Sequence, residues 1–268
     1  MPAGRGTACF FTAGVDSFYT VLRHREEIDA LVYVRGFDVA PDDTRLDATV
    51  LAGVRSAADE LGLPLVVVRT DLRAFSDRLT RWDHYHGAAL ASVAHLLAGS
   101  FSTVYVPATQ TYAYLGPLGS HPLLDPLWSS EDLELVHDGC ESSRLEKLEL
   151  VRDEPAARHW LRVCWENRGG QYNCGHCEKC LRTMVTLDAL GALEMFDRIP
   201  HVISTTDIAR VRIPDIPYTW QASLERLEAS GRDPVVARAV RRRLYGPTTR
   251  AVHRAMYYAY RVRALMRP

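Results

Sequence analysis

Short apolar runs alternate with amphipathic stretches through the first half of the chain. The runs TACFF (7–11), ALVYV (30–34), LVVV (65–68) and TVYV (103–106) are rich in β-branched, aromatic and aliphatic residues, as strands buried on both faces are. Between them, residues 17–25, 47–61 and 87–97 place apolar side chains three and four apart, the period of a helix packed along one side. LELV (133–136) and WLRVC (160–164) are weaker strand candidates. The alternation predicts an α/β fold, a parallel twisted sheet with helices on both faces and right-handed crossovers.

Beyond the fourth strand the pattern changes. Residues 110–130 are rich in glycine, proline and aromatics and have no period; a segment this long in a compact domain is expected to be functional or disordered. Residues 164–190 gather four cysteines and then turn helical from Glu178. From about Trp220 the chain reads as helix, with a break at Gly246-Pro247. The organisation expected is an α/β domain over 1–163, a cysteine-bearing segment and its helix over 164–200, and a basic helical extension over 201–268.

Composition narrows the class. The 268 residues are 47% hydrophobic and 24% charged, enough for a sizeable core. No apolar run approaches the ~20 residues of a membrane span, and the first residues lack a secretory pattern, so a cytoplasmic location is expected. The net charge of -1 conceals an asymmetry. From Val236 onward there is no acidic residue, while Arg238, Arg241, Arg242, Arg243, Arg250, Arg254, Arg261, Arg263 and Arg267 are basic. With Tyr257, Tyr258 and Tyr260 among them, this tail could bind RNA. The apolar stripe Val252, Met256 and Tyr260 favours docking on the body or on a second copy of the chain, a homodimer.

The first chemical signal is FFTAGVDSFYT (10–20). A strand stops at Thr12-Ala13-Gly14, and Val15-Asp16-Ser17 opens a helix, which puts free amides and a helix N-terminus at the C-terminal edge of the sheet. Small residues let an anion reach the main chain. Asp16 could cap the helix or help hold Mg²⁺, and Ser17 offers a hydroxyl. The plain alternative is a strand-to-helix turn with an acidic cap. The bend is no Walker A loop, since no lysine follows the glycine.

The second signal is CWENRGGQYNCGHCEKCLR. Cys174, Cys177 and Cys180 are spaced C-x2-C-x2-C, with Cys164 upstream, a set that suits a tetrahedral four-thiolate Zn²⁺ site. A redox cysteine pair and an iron–sulfur cluster are the competing readings. Cys9 lies in a strand and reads as core. Cys140 sits in an apparently exposed loop and reads as a spare thiol or a nucleophile.

Thr12-Ala13-Gly14-Val15-Asp16-Ser17 resembles the PP-loop S-G-G-x-D-S of the ATP pyrophosphatase superfamily, placed after the first strand as in that family. Thr for Ser keeps the hydroxyl; Ala13 for Gly makes any positive φ costly. The CW…CGHCxxCLR order is similar to 7-cyano-7-deazaguanine synthase-like members, whose four cysteines hold zinc. The resemblance covers about residues 7–191, and it lacks that group's Y-P-D-C-R-type substrate segment. It implies an adenine nucleotide alpha hydrolase-like (HUP) sheet, with ATP and Mg²⁺ bound on Thr12, Ala13, Gly14, Val15, Asp16 and Ser17. Cys164, Cys174, Cys177 and Cys180 become the Zn²⁺ ligands. The activity implied is adenylation of a carboxylate or carbonyl oxygen, on a small molecule or nucleobase, with release of pyrophosphate. Attack by an amine donor such as ammonia would follow, giving an amide or nitrile. PP-loop sulfur transfer and a non-catalytic nucleotide- or RNA-binding module are the alternatives.

Several residues could serve such chemistry. Arg144 and Lys147, three apart on a short helix, could neutralise an acyl-adenylate transition state or a substrate carboxylate, beside Asp16 and Ser17. A solvated helix face is their plain alternative. His121, before Pro122, is a catalytic candidate with an equally good structural role in a turn. His86 begins the helix before the fourth strand and could reach ATP, or could serve in an N-terminal cap.

Overall fold

The computed structural model describes residues 5–40, 42–213 and 218–247. The apolar runs form β1 (Gly6–Phe10), β2 (Ala30–Arg35), β3 (Leu65–Arg69), β4 (Phe101–Pro107) and β5 (Glu134–Asp138). All pair in parallel, in the order β3-β2-β1-β4-β5. Helices α1 (Val15–Arg23) and α2 (Thr44–Leu61) return the chain from β1 to β2 and from β2 to β3. After the short α3 (Leu72–Ser76), α4 (His86–Leu96) carries it back past the sheet centre to β4. The strand order therefore reverses between β1 and β4, which opens a crevice at the C-terminal ends of those strands.

The period of two divides the strand side chains between two cores. Cys9, Leu31, Tyr33 and Tyr105 pack with α1, α2 and the later helices α5 (Arg144–Val151), α6 (Pro155–Trp160) and α7 (Glu178–Ala189). Ala8, Phe10, Val32, Val34, Val104 and Val106 face the other way, onto α4. A third cluster joins α7 to α8 (Thr205–Arg210), α9 (Tyr218–Ser230) and α10 (Pro234–Tyr245) around buried Trp220, Leu227 and Val240. Among the described residues, no helix is long and apolar enough to cross a membrane. The tail bearing Tyr257, Tyr258 and Tyr260, with its RNA-binding and docking expectations, lies outside the described residues.

Two expectations need correction. Residues 160–164 form no strand: α6 ends at Trp160 and the chain then runs unpaired. Pro155 at the first helical position and the Glu154 carboxylate, which accepts from the Ala156 amide, start that helix. The next amides are satisfied without a ladder, since Arg162 N donates to Ala13 O and Val163 N and Cys164 N donate to Asn173 Oδ1. Cys140 is buried rather than exposed.

The patternless segment 110–130 contains two short 3₁₀ turns, Tyr112–Tyr114 and Asp125–Trp128, and is tied to the start of α4. Gly87 N donates to Gly119 O at 3.1 Å, and Gly119 N donates to Asp83 O at 2.7 Å. A Cβ on Gly87 would lie 2.1 Å from that Gly119 oxygen, a backbone atom that cannot swing away. Gly87→Ala is therefore expected to destabilise the protein by about 1–3 kcal/mol and to free the loop. Faster proteolysis within 110–130, with a lower urea midpoint, would register both effects; an unchanged midpoint would show that the loop docks loosely.

Candidate functional site

The bend after β1 is held in a costly conformation. Ala13, fully buried, has φ of 55°, in the left-handed region where a residue with a Cβ pays about 1–2 kcal/mol. Its carbonyl accepts from Arg162 N at 2.8 Å, so the cysteine-bearing segment braces the bend. Ser17 Oγ accepts from Gly14 N at 3.1 Å and Thr12 N at 3.4 Å and donates to Gly14 O at 3.1 Å. Among the described residues, the amides of Ala13, Val15, Asp16 and Ser17 have no acceptor in the chain. These donors coincide with the positive end of α1.

Asp16 stands beside them, but not as a free ligand. Its carboxylate pairs with Arg144 at 3.3 Å and Lys147 at 3.2 Å. Ser143 caps α5 by accepting from Glu146 N while its own N donates to Glu146 Oε2, which fixes the turn from which both cations project. Lys147 is 2% exposed and also donates to Ala108 O at 2.6 Å. Burial alone would push the Asp16 carboxyl up; Arg144, Lys147 and Lys179 outweigh it and hold the group below its ordinary value.

These groups border a cavity of about 230 Å³ in the crevice between β1 and β4. One part is apolar, formed by Phe10, Val32, Val34, Phe37, Trp82 and Leu90. The polar part includes Thr12, Ser17 and Thr183, the cations Arg144, Arg162 and Lys179, and the carboxylates Asp16 and Asp38. The first turns of four helices, α1, α4, α5 and α7, each contribute a residue to the lining. Four helix N-termini around one space make it electropositive beyond its formal charges.

Of the sequence-derived site residues, Thr12, Gly14, Val15, Asp16, Ser17, His86 and Arg144 border this cavity. Ala13 shapes the bend from within the core, and Lys147 supports Asp16 from behind. His86 Nδ1 is buried without a partner, and burial pushes the ring's pKa down. His121 does not border the cavity; its Nδ1 accepts from Leu123 N at 3.1 Å, a turn-stabilising role. Nearby Ser120, which does reach the cavity, donates to Asp125 Oδ2 at 2.5 Å, and that carboxylate also bonds His137 Nδ1 at 2.7 Å.

Sequence reasoning missed Lys179, Arg162, Asp38, Trp165 and Thr183. The available signal for Lys179 and Trp165 was adjacency: each lies within the cysteine motif, and a folded cysteine cluster brings such neighbours to a fixed place.

The four motif cysteines are buried, and their sulfurs all lie within 4.8 Å of one another. Cys164–Cys177 and Cys174–Cys180 are each separated by 3.9 Å, far from a disulfide bond and close to the ~3.8 Å edge of a tetrahedron with metal–sulfur bonds of ~2.3 Å. Gly175, at φ of 75°, turns the chain so that Cys177 N donates to Cys174 Sγ at 3.3 Å. Thiol donors from Cys177 and Cys180 hold Cys164 far below the usual thiol range, and both donors are pushed up in turn, Cys177 to about 12. Four ionised sulfurs this close repel strongly, and a divalent cation is the charge that balances them. The cluster could bind one metal ion.

The chain matches no family model and no curated protein sequence. Geometry and chemistry therefore carry the functional reading: a parallel α/β sheet, a cavity with three cationic side chains at its switch point, and a four-cysteine cluster whose Cys164 borders that cavity.

Proposed function

We propose that the cavity binds ATP and that the protein is an ATP pyrophosphatase-type ligase of the PP-loop kind. The observation that carries this reading is the set of four acceptor-free amides in the strained bend, facing a cationic wall. Phosphates suit such donors, and the apolar part beside β2 and α4 suits a purine. Mg²⁺ enters with the nucleotide. Asp16 is saturated by Arg144 and Lys147, so Asp38, a cavity carboxylate with no ion pair among the described residues, is the side chain free to meet that ion.

In the proposed reaction a carboxylate or carbonyl oxygen of the acceptor attacks the α-phosphorus. The bond to the bridging oxygen breaks, and pyrophosphate leaves into the field of the bend amides, Arg144 and Lys179. Ammonia then attacks the activated carbon, AMP departs with the bonding pair, and the nitrogen loses a proton. An amide results; adenylation of the amide oxygen by a second ATP, followed by expulsion of AMP and loss of both N–H protons without a second ammonia, gives a nitrile. Arg144 and the amides stabilise charge on the phosphates. Lys147, fully covered, orients Asp16 and with it the cation pair.

The metal of this reading is zinc, in a structural role. Sulfurs packed within 4.8 Å enclose one ion, whereas the several irons of a cluster would hold their thiolates further apart. Sulfur transfer through a cysteine persulfide has less support, because both remaining cysteines are buried and held toward the thiol form. Cys9 is fully buried and its ionisation is pushed up; Cys140 is buried and pushed up to about 11.

The test is pyrophosphate release from Mg·ATP in the presence of ammonia, screened over purine-like and simple carboxylic acids. Release that depends on one acid, with AMP formed in equal amount, is the expected result. ADP and inorganic phosphate as the products would overturn the proposal. So would brown, iron-containing protein that transfers sulfide to the same acceptors.

A further inference from the structure

Lys179 and Thr183 stand four apart on α7, hence on one face, and both border the cavity. Most other charges nearby have partners, Asp38 being the carboxylate of the lining without an ion pair among the described residues. Asp16 is shared by Arg144 and Lys147. Glu178 pairs with Arg182 at 3.2 Å and accepts from Trp220 Nε1 at 2.8 Å. Among the described residues, Lys179 makes no ion pair or hydrogen bond through its side chain, and the Thr183 hydroxyl, on a residue 3% exposed, has no partner.

We propose that Lys179 and Thr183 form an oxyanion subsite of the cavity, distinct from the free amides of the bend. Partly covered cations and hydroxyls lacking partners are costly to keep unless a ligand completes them. The flanking Cys177 and Cys180, both buried in the cluster, fix the backbone at Lys179, so less freedom is lost when its ammonium grips an anion. One ammonium and one hydroxyl suit a phosphate or a carboxylate group. The nucleotide's leaving group and the acceptor's carboxylate are the two sources, and only the first rests on the nucleotide reading above.

The experiment is calorimetric titration of the metal-loaded protein with inorganic pyrophosphate and, separately, with benzoate as a planar carboxylate probe. Lys179→Gln and Thr183→Val are compared with the unaltered chain, and unchanged metal content and circular dichroism serve as the control for folding. Lys179→Gln is expected to weaken one probe by about tenfold or more, with a smaller loss for Thr183→Val. A loss confined to pyrophosphate assigns the subsite to the leaving group; a loss confined to benzoate assigns it to the acceptor. Unaltered binding of both probes by both variants overturns the subsite, as does a chain that binds neither probe. Mg·ATP titrated against Ser17→Ala separates this result from the nucleotide reading. Mg·ATP binding that Ser17→Ala weakens, with inert Lys179 variants, removes only the subsite. Benzoate binding that needs Lys179, without any Mg·ATP binding, removes only the nucleotide reading.

Discussion

If the cluster holds a metal as proposed, Cys177→Ser is expected to lose it and to lower the stability of the whole domain by more than about 4 kcal/mol, the range in which loss of a metal belongs. The cluster is not an appendage. Cys164, Cys174, Cys177 and Cys180 share one apolar core with Phe11, Phe18, Leu46 and Val54, so freeing them disturbs the packing beneath α1 and α2. Asn173, between the glycine-rich turn and Cys174, accepts from Val163 and Cys164 amides and donates to Leu161 O and Arg198 O. Loosening this segment also releases the Arg162 amide that braces Ala13 in its strained conformation. Because structural metal binding is folding free energy, metal content and the urea midpoint should fall together. Nucleotide affinity should follow them. A metal-free variant with the original midpoint would show that the sulfurs contribute packing alone.

The inner strands β1, β2 and β4 were legible because they are largely buried and so read as apolar runs; β3, at one edge, is only half-buried but keeps the apolar run LVVV. β5 was the weakest, since it is an edge strand with Glu134 exposed. The bend was legible from Gly14, Asp16 and Ser17 after a strand, and the cysteines from their spacing. What the chain hid was everything set by long-range closure. WLRVC looks like a strand, yet its amides are taken by Ala13 and Asn173, partners far outside any local window. Cys140 looks exposed in a polar stretch, but the folded chain buries it. His121 precedes a proline in a loop that runs close to the cavity, and its ring nonetheless closes its own turn. Lys179 carries no signal of its own in CGHCEKC; the direction of α7, which starts at the cluster, brings it to the cavity.

Asp16→Ala should have the largest effect on chemistry and a second, separable effect on folding. In the folded chain the carboxylate compensates Lys147, which is 2% exposed, and Arg144. Removing it leaves a covered ammonium with one backbone acceptor, Ala108 O, and a loss of about 3–5 kcal/mol is expected for breaking a buried pair from one side. Pairing Asp16→Ala with Lys147→Met removes the stranded charge, so the double variant should recover most of that stability. It should not recover turnover: without Asp16, Arg144 loses its anchor beside the phosphates, and pyrophosphate release should stay down by about 10²–10³. The sign of the pH dependence follows from the same pair. Because the folded carboxyl lies below its unfolded value near 4, its contribution is complete above that value and disappears as pH falls through the lowered folded one. Urea midpoints of the unaltered chain should therefore drop more steeply below about pH 4 than those of the double variant. Parallel acid profiles for the two, or a double variant with restored turnover, would place Asp16 outside both the folding network and the reaction.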